Sequence, residues 1–200
     1  FILSKANVLA NDSVGASKDL QETLSLDKVI TLYNPVCSEQ DLTFKPKSVP
    51  HKWLIDKNLK TLISCGRFIA SKNFNFMLEV FAKLSQKDQN LRLILLGDGE
   101  ESKALKTHAQ QLGIENIVSF EGYVNNVKDY LYYADYFLLT SKYEDFSVVL
   151  VEALSMGIPC IANNCPYGPR EVLCNGKYGL LIDDYNLENN IALIEDFLKT

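Results

Sequence analysis

Two positively charged side chains, Arg67 and Lys72, stand five positions apart in a segment that joins a predicted strand to a predicted helix. The amino end of a helix offers unpaired N–H groups and a partial positive charge. Two cations beside it form a site suited to a phosphate or diphosphate, because hydrogen bonds between charged groups are strong. Two solvated surface cations are the alternative interpretation, since basic residues near loops are common.

Two carboxylates, Glu144 and Glu152, follow later in the chain with seven residues between them. Ser147 stands where a helix is predicted to begin, and an N-cap serine leaves other N–H groups of the first turn free for a ligand. Glu152 lies within this otherwise apolar helix, so its carboxylate needs a partner. Sugar or ribose hydroxyls suit it, because a carboxylate accepts two of them at once. A nearby lysine or the backbone is the alternative partner.

Two further loops carry weaker indications. Residues 97–99 lack the G-x-G-x-x-G and G-x-x-x-x-G-K-[ST] patterns of phosphate loops, so they are predicted to form a tight turn. Residues 165–171 contain glycine and two prolines, and they predict a rigid loop that could line the mouth of the same cleft. His51 and His108 are predicted to lie at the surface. The sequence contains no recognisable Ser-His-Asp set and no cluster of metal ligands with zinc spacing.

The elements that must position these residues recur as β-α units from about residue 59 onward. The predicted strands are short continuous apolar runs, such as residues 91–96, 117–120, 136–139 and 158–162, and they alternate with segments of helical spacing. Such runs indicate strands buried on both faces, as in a parallel sheet covered by helices on each side. The predicted fold class is therefore α/β, a Rossmann-like doubly wound parallel sheet that binds ligands at the carboxyl ends of its strands.

Residues 1–58 follow a different pattern. The predicted elements are a strand, a helix and a strand at residues 8–10, 16–24 and 29–33. Residues 38–58 are polar, contain two prolines and show little periodicity, which predicts an irregular connection. We therefore assign residues 1–58 to the end of one domain with its linker, and residues 59–200 to a ligand-binding domain.

Composition excludes several functional classes. The chain has 200 residues, a net charge of −5 and an isoelectric point of about 5.1, whereas a nucleic-acid-binding domain would show a basic face. No apolar run approaches the roughly 20 residues that span a bilayer, and residues 1–5 do not begin a signal peptide. The five cysteines include no C-x-x-C pair, which indicates reduced thiols in a cytoplasmic protein.

Six stretches in order over residues 59–200 resemble motifs of glycosyltransferase family 4, whose members adopt the two-domain GT-B fold. Gly66-Arg67 with Lys72 resembles the G-R-x-x-x-x-K loop, and Glu144 with Glu152 resembles the E-x7-E motif. The other four stretches are residues 95–99, 120–124, 152–162 and 175–181. Residues 1–58 loosely resemble the end of the acceptor-binding domain, most of which we expect to precede Phe1.

The resemblance implies a retaining glycosyltransferase that moves a hexose-type sugar from a UDP- or GDP-sugar to a glycan or lipid-linked acceptor. Arg67, Lys72 and Glu144 would then be catalytic, the two cations holding the diphosphate in place of a metal ion. The implied donor-binding residues are Gly66, Tyr123, Val124, Phe146, Ser147, Val148 and Glu152. Glu152 would hold the ribose hydroxyls and Glu144 those of the donor sugar, with the backbone near Tyr123 facing the base. Neither a metal nor another cofactor is implied.

The resemblance also implies a role in polysaccharide biosynthesis, in the cytoplasm or at the cytoplasmic face of a membrane, with any membrane contact made through the acceptor-binding domain. Two departures leave the donor sugar open: Asn73 and Asp145 stand where glycine is common in the family. Two alternative functions remain. One is an isolated nucleotide-sugar-binding domain without transferase activity, and the other is a nucleotide-sugar epimerase with the same fold.

Overall fold

A small amino-terminal unit precedes the main sheet. The computed structural model describes residues 6–26, 28–183 and 186–199, so the residues considered for a signal peptide lie outside the described part. Strand β1 (Leu9–Asn11), helix α1 (Val14–Leu24) and strand β2 (Val29–Thr31) follow one another, and β1 pairs with β2 in parallel. Ser13 caps α1 by accepting a 3.2 Å hydrogen bond from the Ala16 N–H. The order of elements agrees with the sequence prediction.

An irregular segment leads from this unit to the main sheet. Between β2 and residue 60, the regular structure of the described backbone consists of two short 3-10 turns, Asp41–Thr43 and Lys52–Leu54. Lys128 holds the first turn through an ion pair with Asp41, and Trp53 packs against a hydrophobic core of the main domain. The segment is therefore fastened to the main domain at two points, although it lacks regular structure.

Six parallel strands form the main sheet, which confirms the predicted α/β class. In chain order they are β3 (Lys60–Cys65), β4 (Leu91–Leu96), β5 (Val118–Gly122), β6 (Tyr136–Leu139), β7 (Cys160–Asn163) and β8 (Leu180–Ile182). Across the sheet the order is β5-β4-β3-β6-β7-β8. Because the order reverses between β3 and β6, the topological switch point, where such sheets bind ligands, lies between their carboxyl ends.

Helices cover both faces of this sheet. In chain order they are α2 (Phe74–Lys87), α3 (Ser102–Gln111), α4 (Val127–Tyr133), α5 (Val148–Ser155), α6 (Pro169–Val172) and α7 (Leu187–Phe197). Helices α2, α3 and α7 pack in one hydrophobic core, and α4, α5 and α6 pack in the other. Successive strand residues alternate between the cores, as the fully buried Leu62 and Ile63 do. No helix among the described residues is long and apolar enough to cross a bilayer.

Several strand boundaries differ from the predictions by one or two residues, among them β1 at Leu9–Asn11 instead of 8–10 and β2, which ends at Thr31 instead of residue 33. β5 begins at Val118 instead of Ile117, and β7 begins at Cys160 instead of Ile158. The Ile158 N–H still bonds to the Ala153 carbonyl at 3.3 Å, and Gly157 between them has a φ of 75°. The turn that ends α5 therefore extends over residues whose apolar character had suggested a strand.

Candidate functional site

The β3–α2 loop carries the first predicted cation. Arg67 is exposed and follows Gly66, whose N–H bonds to the Leu96 carbonyl at 3.0 Å. A 3-10 turn at Ala70–Lys72 leads to α2. Asn73 joins the turn to the helix with a φ of 54°. This left-handed conformation is the physical reason why glycine also suits the position, since asparagine and glycine adopt it at low cost.

The second predicted cation and the first predicted carboxylate meet directly. Lys72 Nζ lies 2.6 Å from Glu144 Oε1, which also accepts a 2.6 Å hydrogen bond from Ser141 Oγ. The Glu144 side chain is only 8% exposed. A Cβ atom placed on Gly66 would lie 4.0 Å from Lys72 Cγ. The ion pair therefore adjoins the loop that holds Arg67, at the switch point between β3 and β6.

Ser147 occupies the N-cap position of α5, as predicted, but its hydroxyl does not cap the helix. Its backbone is left-handed, with a φ of 70°, and its buried Oγ has no hydrogen-bond partner among the described residues. A capping side chain normally belongs to a residue with extended backbone, which explains the missing cap. The first turn of α5, beginning at the exposed Val148, is therefore left without a serine cap.

A cleft of about 700 Å³ opens at the carboxyl ends of β3, β4 and β5. Its walls, which define what we call the main cleft, include Gly66, Arg67, Asp98, Tyr123, Val124 and Glu152. Tyr123 is 80% exposed. The volume lies within the range of about 300–1,000 Å³ that is usual for small-molecule sites. Five of the predicted site residues therefore line one cavity.

The other five predicted site residues lie outside the walls of the main cleft. They are Lys72, Glu144, Phe146, Ser147 and Val148. The Phe146 ring lies 5.4 Å from the ring of Tyr33, centroid to centroid, so it contacts the amino-terminal unit. The predicted site residues thus form two neighbouring groups, one in the main cleft and one around the Lys72–Glu144 ion pair.

Glu152 is half-buried in the main cleft, and this burial raises the pKa of its carboxyl group. The positive charge of Lys128 acts in the opposite direction, while the negative charge of Asp41 adds to the rise. The Glu152 carboxylate makes no hydrogen bond to any described residue. Neither the lysine nor the backbone alternative pairs with it directly, so its oxygens remain open to hydroxyl donors.

Sequence reasoning missed three residues at this site. Phe44 and Lys128 line the main cleft, and Asp41 holds Lys128 in an ion pair. The hydrogen bond between them raises the pKa of Lys128 and lowers that of Asp41. Asp41 lies 87 positions before Lys128, so no local pattern links them. Lys128 itself lies in the first turn of α4, the helix that follows the carboxyl end of β5, where a ligand contact could have been sought.

Residues 97–99 are irregular backbone, and the tight turn predicted for them instead follows, closed by a 3.0 Å hydrogen bond from the Ser102 N–H to the Gly99 carbonyl. Gly97 is required in this loop. Its φ is 134°, and a Cβ atom there would lie 1.9 Å from the carbonyl oxygen of Gly66. The β3 and β4 loops therefore touch through their backbones, an approach that any side chain would prevent. Asp98, in the same loop, lines the main cleft.

Residues 165–171, a loop that by its sequence could line the cleft mouth, do not line the main cleft. The Glu171 carboxylate instead accepts hydrogen bonds from the Val14 N–H, at 3.2 and 3.0 Å, and from the Tyr33 hydroxyl. A Cβ atom on Gly15 would lie 2.5 Å from the ring of Tyr167. The loop holds the amino-terminal unit, because a carboxylate complements the positive end of the α1 dipole.

The two histidines are half-buried, not exposed as expected. His51 Nδ1 accepts a 3.2 Å hydrogen bond from the Trp53 N–H, and burial lowers the pKa of its ring. His108 Nδ1 lies 2.9 Å from Asn75 Oδ1. Neither ring lines the main cleft. Within the described part of the chain, no group of three or more His, Cys, Asp and Glu side chains could hold a metal ion.

Comparison with known sequences gives a clear family match. The family model described as "Glycosyl transferases group 1" matches residues 47–200. A Haemophilus influenzae protein named as an uncharacterized glycosyltransferase is 30% identical over 171 residues, which are 86% of this chain and 46% of that protein. The chain therefore spans less than half the length of this relative.

Solved structures share the fold. A Staphylococcus aureus TarM mutant, in complex with Fondaparinux, alpha-GlcNAc-glycerol and UDP, superposes with a TM-score of 0.83 at 19% identity, covering 98% of this chain and 38% of that one. Anabaena HepE, in complex with UDP and glucose, gives 0.77 at 24% identity, covering 98% of this chain and 55% of that one. These likenesses establish a GT-B-type parallel sheet.

Proposed function

Because the chain belongs to the glycosyl transferases group 1 family, we propose that it is the donor-binding part of a retaining glycosyltransferase. The donor is a UDP- or GDP-hexose, and the acceptor is a glycan or a lipid-linked glycan. The observation that carries the proposal is the main cleft, which brings the cation Arg67 of the β3–α2 loop and the carboxylate of Glu152 in helix α5 into one cavity.

The main cleft suits the nucleotide part of the donor. Arg67 is exposed in its wall and donates to the diphosphate, for which a guanidinium has a matching geometry. Glu152 accepts from the two ribose hydroxyls, because its carboxylate oxygens have no other hydrogen bond among the described residues. The base lies along the backbone at Tyr123 and Val124. The diphosphate, which accepts hydrogen bonds, thus meets the donor Arg67. The ribose hydroxyls, which donate, meet the acceptor Glu152.

The Lys72–Glu144 ion pair serves the sugar end of the donor. Glu144 accepts from the sugar hydroxyls and is held for this by Ser141, at 2.6 Å. The ammonium of Lys72 has three N–H donors, so it can bind a phosphate oxygen and keep its 2.6 Å contact with Glu144. Backbone N–H groups around Phe146, Ser147 and Val148 lie at the amino end of α5, where anions and hydroxyls are favoured.

The reaction that follows is a displacement at the anomeric carbon. As the bond to the diphosphate breaks, negative charge develops on the leaving oxygen, and Arg67 and Lys72 stabilise that charge in the role that a metal ion fills elsewhere. The acceptor hydroxyl attacks on the same face and passes its proton to the leaving phosphate. The sugar therefore keeps its anomeric configuration, and the cations carry the catalysis. The UDP in the TarM and HepE complexes supports a nucleotide-sugar donor.

Calorimetry with the 200-residue chain tests the donor site. We expect UDP or GDP, and the corresponding nucleotide-sugars, to bind the wild-type chain. Arg67→Ala and Glu152→Ala should each weaken that binding by about tenfold or more, the equivalent of one charge-assisted hydrogen bond. Lys103→Ala and Glu115→Ala are the matched controls, because both side chains are exposed and lie outside the main cleft.

The outcomes separate the candidate functions. Failure of the folded wild-type chain to bind any nucleotide, or equal affinity in all four variants, would overturn the donor site. If a nucleotide-sugar binds, NMR of the same mixture with acceptor glycans follows its fate. Release of the nucleoside diphosphate identifies a transferase, an inverted sugar centre identifies an epimerase, and an unchanged donor identifies a binding domain.

A further inference from the structure

A second cleft, of about 670 Å³, lies beyond the β6–α5 loop. Its walls include Lys142 and Tyr143, which follow β6, and Asn163 and Asn164, at the end of β7 and just beyond it. Cys165 and Pro166, together with Arg170 of α6, complete them. We call this cavity the second cleft. None of its wall residues lines the main cleft, so the two cavities are separate.

The charges around the second cleft are unbalanced. Lys142 and Arg170 form no ion pair with any described residue, and the one side-chain bond of Arg170 goes from Nε to Asn164 Oδ1 at 2.9 Å. Two carboxylates of the neighbouring loops are already committed: Glu144 to Lys72, and Glu171 to the amino end of α1. The exposed Asp145 of the β6–α5 loop forms no ion pair with either cation. The second cleft therefore offers two cations for an anion that the described chain does not supply.

Asn163 adds an unmet hydrogen-bond acceptor. Its side chain is almost fully buried, and its Nδ2 donates to the Ser141 carbonyl at 3.0 Å. Its Oδ1 is buried without any partner among the described residues. A buried amide oxygen without a donor is unfavourable, and native proteins rarely retain one. Since Asn163 lines the second cleft, a ligand hydroxyl or N–H would satisfy it.

The position of the second cleft along the sheet indicates which reactant it can bind. The strand order β4-β3-β6-β7 places the main cleft over β3 and β4, the Lys72–Glu144 pair between β3 and β6, and the second cleft over β6 and β7. A nucleotide-sugar whose nucleotide lies in the main cleft and whose sugar lies at the Lys72–Glu144 pair therefore has that sugar directed toward the second cleft. The group next to that sugar in the reaction is the acceptor.

We propose that the second cleft binds an acidic, hydroxyl-bearing part of the acceptor, with a phosphate or carboxylate held by Lys142 and Arg170 and a neighbouring hydroxyl donating to Asn163. The proposal rests on the proposed function for its identification of the ligand as acceptor. The cleft, the two unpaired cations and the orphan oxygen stand without it.

Amide NMR of the ¹⁵N-labelled 200-residue chain tests the proposal with glycerol 3-phosphate as the probe. We expect saturable shifts at residues 141–143 and 163–166, both with and without UDP. Inorganic phosphate should bind about tenfold more weakly because it brings no hydroxyl chain for Asn163, and glycerol should not bind because it has no charge. The affinity for the probe should fall in Lys142→Met and fall further in the double variant Lys142→Met/Arg170→Met. It should be unchanged in Lys103→Met, whose side chain is exposed.

The failures of the two proposals are distinguishable. Shifts confined to residues 66–73 that disappear when UDP is added would place the probe in the donor site and overturn the second-cleft proposal. No saturable shift, or equal affinity in the Lys142→Met/Arg170→Met variant, would overturn it as well. Calorimetry of UDP with that double variant should give the wild-type affinity, because neither residue lines the main cleft. Failure of the wild-type chain to bind UDP would contradict the proposed donor site instead, and not the second-cleft proposal.

Discussion

At the scale of single residues, Glu152 combines a cost in stability with a use in binding. It stands in an apolar helix, half-buried, with Lys128 nearby but not bonded to it. Burial outweighs the attraction of the lysine, so the pKa of Glu152 is raised. A folded chain that holds a carboxylate in this way is less stable than one that holds a neutral group of the same shape.

We predict that Glu152→Gln stabilises the chain at neutral pH. Because the folded pKa is raised, the folded chain binds more protons than the unfolded chain between the ordinary and the raised value. Wild-type stability therefore falls as the pH rises through that window, and the glutamine variant avoids this loss. Thermal melts should show a gain of about 1–3 °C at pH 7 that disappears near pH 4.

The same variant should bind the nucleotide more weakly at pH 7, because an amide accepts fewer hydroxyl hydrogen bonds than a carboxylate. Glu115→Gln, on an exposed side chain, is the matched control and should change neither property. A Glu152→Gln variant that loses stability at pH 7 would show that a contact of the carboxylate outweighs its burial.

The residues that could and could not be predicted differ in how local their signal is. Arg67 and Glu152 belong to motifs with fixed spacing, so their place in one cleft was accessible from sequence. Asp41 was not accessible, because its partner Lys128 is 87 positions away and its own segment has no periodicity. The hydroxyl of Ser147 failed to cap α5 because a left-handed backbone cannot be read from residue type alone.

At the scale of elements, the close backbone approach at Gly97 sets the distance between the β3 and β4 loops. We predict that Gly97→Ala destabilises the chain by more than about 4 kcal/mol, because its Cβ would lie 1.9 Å from the Gly66 carbonyl oxygen. Gly113→Ala is the matched control. Gly113 also has a positive φ, of 69°, but no atom lies within 4 Å of its Cβ position, so its loss should be about 1–2 kcal/mol.

Urea denaturation measures both free energies of unfolding. Similar losses in the Gly97 and Gly113 variants would mean that backbone conformation alone matters, and that the close approach to Gly66 relaxes freely. If Gly97→Ala does not fold at all, the contrast with a folded Gly113→Ala chain carries the same conclusion.

Helix α1 depends on a residue far away in sequence. We predict that Glu171→Gln loosens α1 from the main domain by about 1–2 kcal/mol, since it removes the charge that the Val14 N–H contacts. Hydrogen exchange of α1 amides should quicken about tenfold. Tyr33→Phe is the control that removes only the hydroxyl contact, and it should have the smaller effect. Equal exchange in wild type and Glu171→Gln would contradict the role of the carboxylate.

Elements were the most predictable level of the fold. The continuous apolar runs identified the buried strands, such as β4 and β6, because both faces of a doubly covered sheet need apolar residues. Boundaries failed where a turn competes with a strand for apolar residues, as at Ile158 after Gly157. The pairing of residues 165–171 with α1 could not be predicted, because it joins two loops without a shared pattern.

At the scale of the whole molecule, the five cysteines are free thiols with very different environments. Cys37 and Cys174 are exposed, whereas burial raises the pKa of Cys65 and Cys165 to about 11 and that of Cys160 to about 12. We predict that Ellman's reagent labels two thiols per chain at pH 8 and the other three about a hundredfold more slowly, because only the thiolate reacts.

Urea should make all five thiols react at one rate, since unfolding removes the burial. Cys37→Ser and Cys174→Ser should each remove one equivalent from the fast phase. A fast phase of three or more thiols in the native chain would show that one of the buried cysteines becomes accessible by local opening.

The two-stranded sheet of β1 and β2 has a consequence for handling the protein. Among the described residues each of its strands pairs only with the other, so each leaves much of one backbone edge without a partner strand, although Gln21 Nε2 of α1 donates to the Val29 carbonyl at 3.1 Å. Beside these edges, Val8, Ile30 and Leu32 are 50–65% exposed. Open edges with apolar side chains favour strand addition between molecules. The 200-residue chain taken by itself should therefore self-associate through residues 8–32 as it is concentrated, and Ile30→Lys should raise its solubility.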